Sequence, residues 1–177
     1  MRRSRRQPAL QDGGKQIRAS DIGPLVAVVG GSSATPEETT AAEAVGQALA
    51  EGGAVLLCGG RGGVMEAACR GAKRAGGLTI GILPGTDVGQ ANPYVDLPIV
   101  TGMGEARNVI IARTAQAVVA VGGSYGTLSE IAYALRFGVP VVGLGTWRIE
   151  REGHPPAPIH RARSAEEAAA LALALAT

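Results

Sequence analysis

From residue 25 onward, short runs of branched aliphatic residues alternate with helix-length segments, and glycines stand at nearly every junction. Six runs read as strands: Leu25–Val29, Ala54–Cys58, Leu78–Leu83, Pro98–Thr101, Ala117–Val121 and Val139–Leu144. Most are continuously apolar rather than alternating, as strands are when helices cover both faces of their sheet. Between them lie helical segments with recognisable ends. Thr35 with Glu38 has the spacing of a capping box, Pro36 suits a first helical position, and Gly52-Gly53 closes that helix after about Glu51. Further helices are predicted from Val64 to about Ala75, over Met103–Gln116, from the GGSYGT stretch to about Phe137, and over Ala165–Ala176. Repeated β-α units of this kind specify an α/β fold, a single Rossmann-like, doubly wound parallel sheet sandwiched by helices.

A chain of 177 residues fits one domain. With one Phe, one Trp and three Tyr, its core must be built from Ala, Val, Leu and Ile. No apolar run approaches the roughly 20 residues of a membrane span, so no membrane partner is expected. The net charge of +2 divides unevenly. Residues 1–20 carry six basic residues against Asp12, and residues 21–177 carry 11 basic against 14 acidic. A disordered basic leader over 1–20 is therefore expected ahead of a mildly acidic domain over 21–177. No apolar stretch follows MRRSRR, so no export signal is read there. Two cysteines, Cys58 and Cys69, share no metal-ligand spacing and are too few for a disulfide framework, which makes a reducing cytoplasm the simplest compartment.

In a doubly wound sheet, ligands bind at the carboxyl ends of the strands. Four loops predicted on that edge are glycine-rich: 30–33 (GGSS), 59–63 (GGRGG), 101–104 (TGMG) and 122–127 (GGSYGT). Each precedes a helix, so free backbone N–H groups and the positive end of the helix dipole point at one rim. Glycine also lets the backbone approach a phosphate closely. Gly31, Ser32, Gly60, Gly63, Gly122, Gly123, Ser124, Gly126 and Thr127 are the candidate phosphate and ligand contacts.

Several chemistries are disfavoured. No Gly-Lys-Ser/Thr follows a loop, and no clean GxGxxG with a later acidic residue follows the first strand. The only lysines, Lys15 and Lys73, are poorly placed for a pyridoxal Schiff base. His154 and His160 have no partners at ligand spacing, so neither a metal nor a resident cofactor is expected. Poverty in aromatics argues against nucleic acid as a partner.

The stretch GMGEARNVIIARTAQAVVAVGGSYGTLSE, residues 102–130, resembles the paired signature of the LOG ("lonely guy") proteins, formerly grouped as lysine-decarboxylase-like. GGRGGVMEAACRGAKRAGG, residues 59–77, is similar to the same family's second βα loop. The resemblance implies a Rossmann-like homodimer or higher homo-oligomer that hydrolyses the N-glycosidic bond of adenosine-type 5′-monophosphates, a phosphoribohydrolase. By that resemblance Gly122, Gly123, Gly126 and Thr127 hold the phosphate, and Arg107 and Glu130 form the catalytic pair. A carboxylate there would serve an oxocarbenium-like transition state, and the arginine would grip phosphate or offset charge on the leaving base. The same two residues would equally form an ion pair between neighbouring helices.

The sequence departs from the LOG pattern at two positions. Val121 stands where the family has Pro, and Asn108 where it has Lys. Both changes resemble a sister group that includes molybdenum cofactor carrier proteins, which bind a phosphorylated pterin. That leaves two functional expectations, a nucleotide-cleaving enzyme and a noncatalytic pterin carrier or nucleotide sensor. The stretch LLCGGRGGVMEAACRGAKRAGGLTIGILPG, residues 56–85, also has a more distant similarity to DNA-processing Smf-type proteins, which the acidic domain does not favour. Arg61 and Tyr125 are further rim candidates, Trp147 is read as a packing or dimer residue, and Glu105 as a helix N-terminal charge off the face of Arg107.

Overall fold

A computed structural model of the chain describes residues 22–176, and the basic stretch 1–20 lies outside them. Among the described residues seven strands form one sheet: β1 (Leu25–Gly30), β2 (Val55–Cys58), β3 (Thr79–Leu83), β4 (Leu97–Val100), β5 (Ala117–Val121), β6 (Val141–Leu144) and β7 (Ile159–Arg161). The helices are α1 (Pro36–Glu51), α2 (Val64–Arg74), α3 (Asn108–Thr114), α4 (Tyr125–Phe137) and α5 (Ala165–Leu175). None of them is long and apolar enough to cross a membrane.

All strand pairs are parallel, in the order β4-β3-β2-β1-β5-β6-β7. The chain builds outward from β1 to β4, then returns to the other side of β1 to lay down β5. The winding therefore reverses between β1 and β5, and a crevice opens where the loops after these two strands diverge.

Alternate side chains of each strand feed opposite layers. Val26 and Val28 of β1, with Val119 and Val121 of β5, pack under α1, α2 and α5. Ala27 and Val29, with Val118 and Ala120, pack under α3 and α4. In the first layer α1 and α2 approach at Gly46 and Gly71. A methyl group at Gly46 would collide with the Ala68 carbonyl, and one at Gly71 with the Glu43 carbonyl. Glu43 then pairs with Arg70 (2.6 Å) and Arg74 across the crossing. Cys58 and Cys69 meet in this layer as buried free thiols, Sγ to Sγ 3.5 Å.

Two sequence expectations change and one is met. A seventh strand, β7, forms in the proline-rich stretch, where three residues preceded by Pro156 and Pro158 are too few to show a period. The expected helix over 103–116 is instead a 3₁₀ turn, Gly104–Arg107, leading into the shorter α3. The Thr35–Glu38 capping box forms with both of its bonds, at 3.2 and 2.9 Å.

Candidate functional site at the β1–β5 switch point

Helix N-termini set the polarity of the rim. Thr35 and Ser164 cap α1 and α5 with their side chains, but no side chain caps α2 or α4. Gly63 precedes α2, whose first N–H, that of Val64, donates to the Gly31 carbonyl at 3.0 Å, and Ser124 precedes α4, whose first-turn N–H groups have no side-chain cap. The β5–α4 connection makes this possible. Gly122 and Gly123 take φ of +52° and +105°, values that side-chain-bearing residues rarely adopt, and so turn the chain from strand to helix within three residues. A methyl group on Gly123 would strike Thr127, which packs directly beneath it.

A cleft of about 430 Å³ lies over this junction. Gly30 and Ser32 come from the β1 loop, Arg61 and Met65 from the β2 loop and α2, and Glu105 and Arg107 from the 3₁₀ turn. Ser124, Gly126, Thr127 and Glu130 complete it from α4. Among the described residues six polar or charged residues are buried, and four of them line this cleft: Arg107, Asn108, Thr127 and Glu130. A cleft of similar size, about 450 Å³, lies beside β6 and β7 between Arg148, Ile149 and Arg161, and none of the six lines it. Burying a polar group is costly unless it has a partner. Their concentration marks the switch-point cleft as the site.

The buried groups form one network. Arg107 Nη1 donates to Glu130 Oε1 at 3.3 Å and to Asn108 Oδ1. The Asn108 amide donates on to Ser129 Oγ (3.0 Å), whose hydroxyl donates to the Gly126 carbonyl at 2.6 Å. Arg107 and Glu130 are only 5% and 6% exposed. Burial pushes the Glu130 carboxyl up to about 7; Arg107 beside it pulls the other way, and the negative charge of Glu105 adds to the rise. Glu130 therefore titrates near neutrality. Two atoms of residues lining the cleft, Arg107 Nε and Thr127 Oγ1, are buried with no hydrogen-bond partner among the described residues. Such groups in a native fold call for an explanation, and a bound ligand is one.

Sequence reasoning placed Arg107, Glu130, Ser124, Gly126, Thr127 and Ser32 in one site, and the structure brings them together. Gly31 and Gly123 line an adjoining cleft of about 350 Å³ with Ser33 and Glu38. Gly122 borders a smaller one of about 180 Å³ with Glu38 and Trp147. Gly60 and Gly63 serve loop packing. A Cβ at Gly60 would meet Leu83, and one at Gly63 would meet the Gly31 carbonyl.

Glu105 is a correction, because it shares the cleft with Arg107. Its expected α-helical spacing put it on another face, whereas the 3₁₀ turn does not follow that spacing. Trp147 also lies at the rim: its indole N–H donates to the Ser124 carbonyl at 3.2 Å, and its ring centroid is 5.7 Å from that of Tyr125. Asn108, read only as a departure from a motif, is the central bridge of the network. Glu38, read only as a cap, lines two adjoining clefts.

The model of the SLOG cluster4 family matches residues 24–169, which spans this whole sheet and cleft. The chain belongs to the SLOG cluster4 family. Solved structures of similar fold include the molybdenum cofactor binding protein from Rippkaea orientalis, with TM-score 0.79 and 38% identity, covering 88% of this chain and 98% of that one. The molybdenum cofactor carrier protein from Chlamydomonas reinhardtii is also 38% identical, with TM-score 0.75 and coverage of 86% and 98%. An uncharacterised protein of Archaeoglobus fulgidus is 47% identical over 119 residues, 67% of this chain and 78% of that protein. Both solved structures are molybdenum cofactor binding or carrier proteins, the sister group named in the sequence analysis.

Proposed function

We propose that this SLOG cluster4 protein binds a phosphorylated pterin of the molybdenum cofactor type in the switch-point cleft and carries it without cleaving it. The phosphate is held at the N-terminus of α4, where uncapped N–H groups and the helix dipole meet the unpartnered hydroxyl of Thr127. The observation that carries the noncatalytic reading is the position of Asn108. Its amide bonds to Arg107 on one side and Ser129 on the other, so a neutral residue stands where the LOG pattern places a second cation. Arg107 and Glu130 are thereby held against each other in a closed network. The similarity to molybdenum cofactor binding and carrier proteins supports the same ligand class.

Hydrolysis of a nucleoside 5′-monophosphate is the second reading, and one observation favours it. A buried carboxyl that titrates near 7 next to an arginine is suited to moving a proton at neutral pH. Glu130 would then orient the attacking water while Arg107 steadies the phosphate.

One experiment separates the two. The purified full chain is denatured, its supernatant is assayed for oxidised fluorescent pterin and for molybdenum, and fresh protein is incubated with AMP. Pterin in near-stoichiometric amount, with no adenine released, is expected. Adenine release without any bound pterin would overturn the carrier reading. By the resemblance to LOG proteins the chain is expected to work as a homo-oligomer, which sedimentation of the purified protein checks.

A further inference from the structure

Beyond the phosphate end of the cleft lies a shelf that the reading above leaves unassigned. It is lined by Gly122, Gly123 and Gly145, three residues without side chains, and by Thr146. Glu38 and Trp147 complete the lining. Glu38 also walls the neighbouring cleft that reaches Ser32 and Ser124, so the shelf continues directly from the phosphate-binding turn.

The carboxylate is fixed and only half used. Glu38 Oε2 accepts from the Thr35 backbone N–H at 2.9 Å, which completes the capping box and holds the side chain on the rim. Oε1 lies over Gly122, so close that a Cβ there would overlap it, and among the described residues no donor reaches it. A carboxylate offers about four lone-pair sites, and one is occupied. Beside Trp147, Tyr125 is 80% exposed and tilted 35° to the indole, which the Ser124 carbonyl holds through its N–H. In a chain with one tryptophan and three tyrosines, two of these rings meet beside the phosphate turn.

A glycine-lined cleft that holds both a carboxylate and an indole suits a planar heterocycle that presents two adjacent donors. We infer that Glu38 reads the heterocycle of the phosphorylated ligand, accepting from an amino group and the ring N–H next to it while Trp147 and Tyr125 cover the ring. Pterins and guanine carry that donor pair. Adenine does not, because its ring N1 would turn a lone pair toward the carboxylate, and such a mismatch leaves a desolvated acceptor pair. Glu38 is thus the specificity residue of the site. This inference rests on the proposed binding of phosphate at α4.

The test uses the full chain, with quenching of the single Trp147 and calorimetry as readouts, and three probes: phosphorylated 6-hydroxymethylpterin, GMP and AMP. The pterin and GMP should bind at least about tenfold more tightly than AMP, as loss of a charge-assisted hydrogen bond implies. Glu38→Gln should bring the three affinities within about twofold, because glutamine keeps the capping box but not the paired acceptors. Glu37→Gln, one residue away in the same exposed first turn, removes the same charge and should keep the discrimination. AMP binding as tightly as GMP to the unaltered protein, or discrimination that survives Glu38→Gln, would overturn the role given to Glu38. GMP binding more tightly than the pterin supports that role but overturns the pterin assignment. If none of the three probes binds, this inference and the proposed function fall together.

Discussion

Glycines at the α1–α2 crossing and glycines at the β5–α4 turn are the same residue put to opposite uses. At the crossing, Gly46 and Gly71 are absent side chains: the helices approach until a methyl group on either would strike a carbonyl of the other helix. At the turn, Gly122 and Gly123 are absent restrictions: positive φ redirects the backbone so that the N–H groups of α4 face the cleft. The first pair is set among apolar neighbours in the core. The second pair adjoins unpartnered and titrating polar groups. Packing glycines should therefore govern stability and turn glycines binding.

The sharpest test of that division is Gly71→Ala. Overpacking against backbone, which cannot swing aside, should cost about 3 kcal/mol, or a fall in Tm of about 6–12 °C for a chain of this size. Circular dichroism would measure it, and phosphate-ligand affinity per folded molecule should be unchanged. Gly123→Ala should invert the pattern. An affinity loss of about tenfold or more by calorimetry should accompany a smaller stability loss of about 1–2 kcal/mol, the usual cost of a strained backbone position. Equal effects of the two substitutions on binding would erase the distinction.

Glu130 extends the comparison to charge. Its carboxyl is raised from the ordinary 4.5 to about 7, so the native state holds that proton more tightly than the unfolded chain. The stability this contributes is complete below about pH 4.5, is lost as pH rises toward 7, and does not change above that. Glu130→Gln should abolish that component, so the change in Tm between pH 5 and pH 8 should be smaller in the variant than in the unaltered protein. The smallest effect expected is that of Thr127→Val. Replacing an unpartnered buried hydroxyl with a methyl group should leave Tm unchanged or slightly higher, while phosphate affinity falls several-fold. A clear loss of stability would mean that the hydroxyl is satisfied without ligand.

Much of this was legible in the residues. The parallel sandwich followed from apolar runs alternating with helices, and the rim loops from glycine at strand-to-helix junctions. Ser124, Thr127 and Glu130 were readable because a short motif keeps ligand-facing groups within a turn or two of one another, whereas Arg107, on a separate element, was readable through the resemblance to LOG proteins. Strand β7 was not, since three residues carry no period and its pairing with β6 is a long-range choice. The 3₁₀ turn before α3 was not, because it depends on where the chain is tethered at both ends, and with it went the true position of Glu105.

The sequence by itself determined the layers, the winding and the presence of a glycine-rich rim at helix N-termini, because each follows from local periodicity and from what glycine permits. Only the tertiary structure decided which polar residues are buried together. Asn108 became the bridge between Arg107 and Ser129, and Glu38 came to share a glycine-lined cleft with Trp147. The physical reason is distance along the chain. Glu38 and Trp147 are separated by five strands and three helices, and meet at the rim because β1 and β5 pair at the point where the sheet reverses.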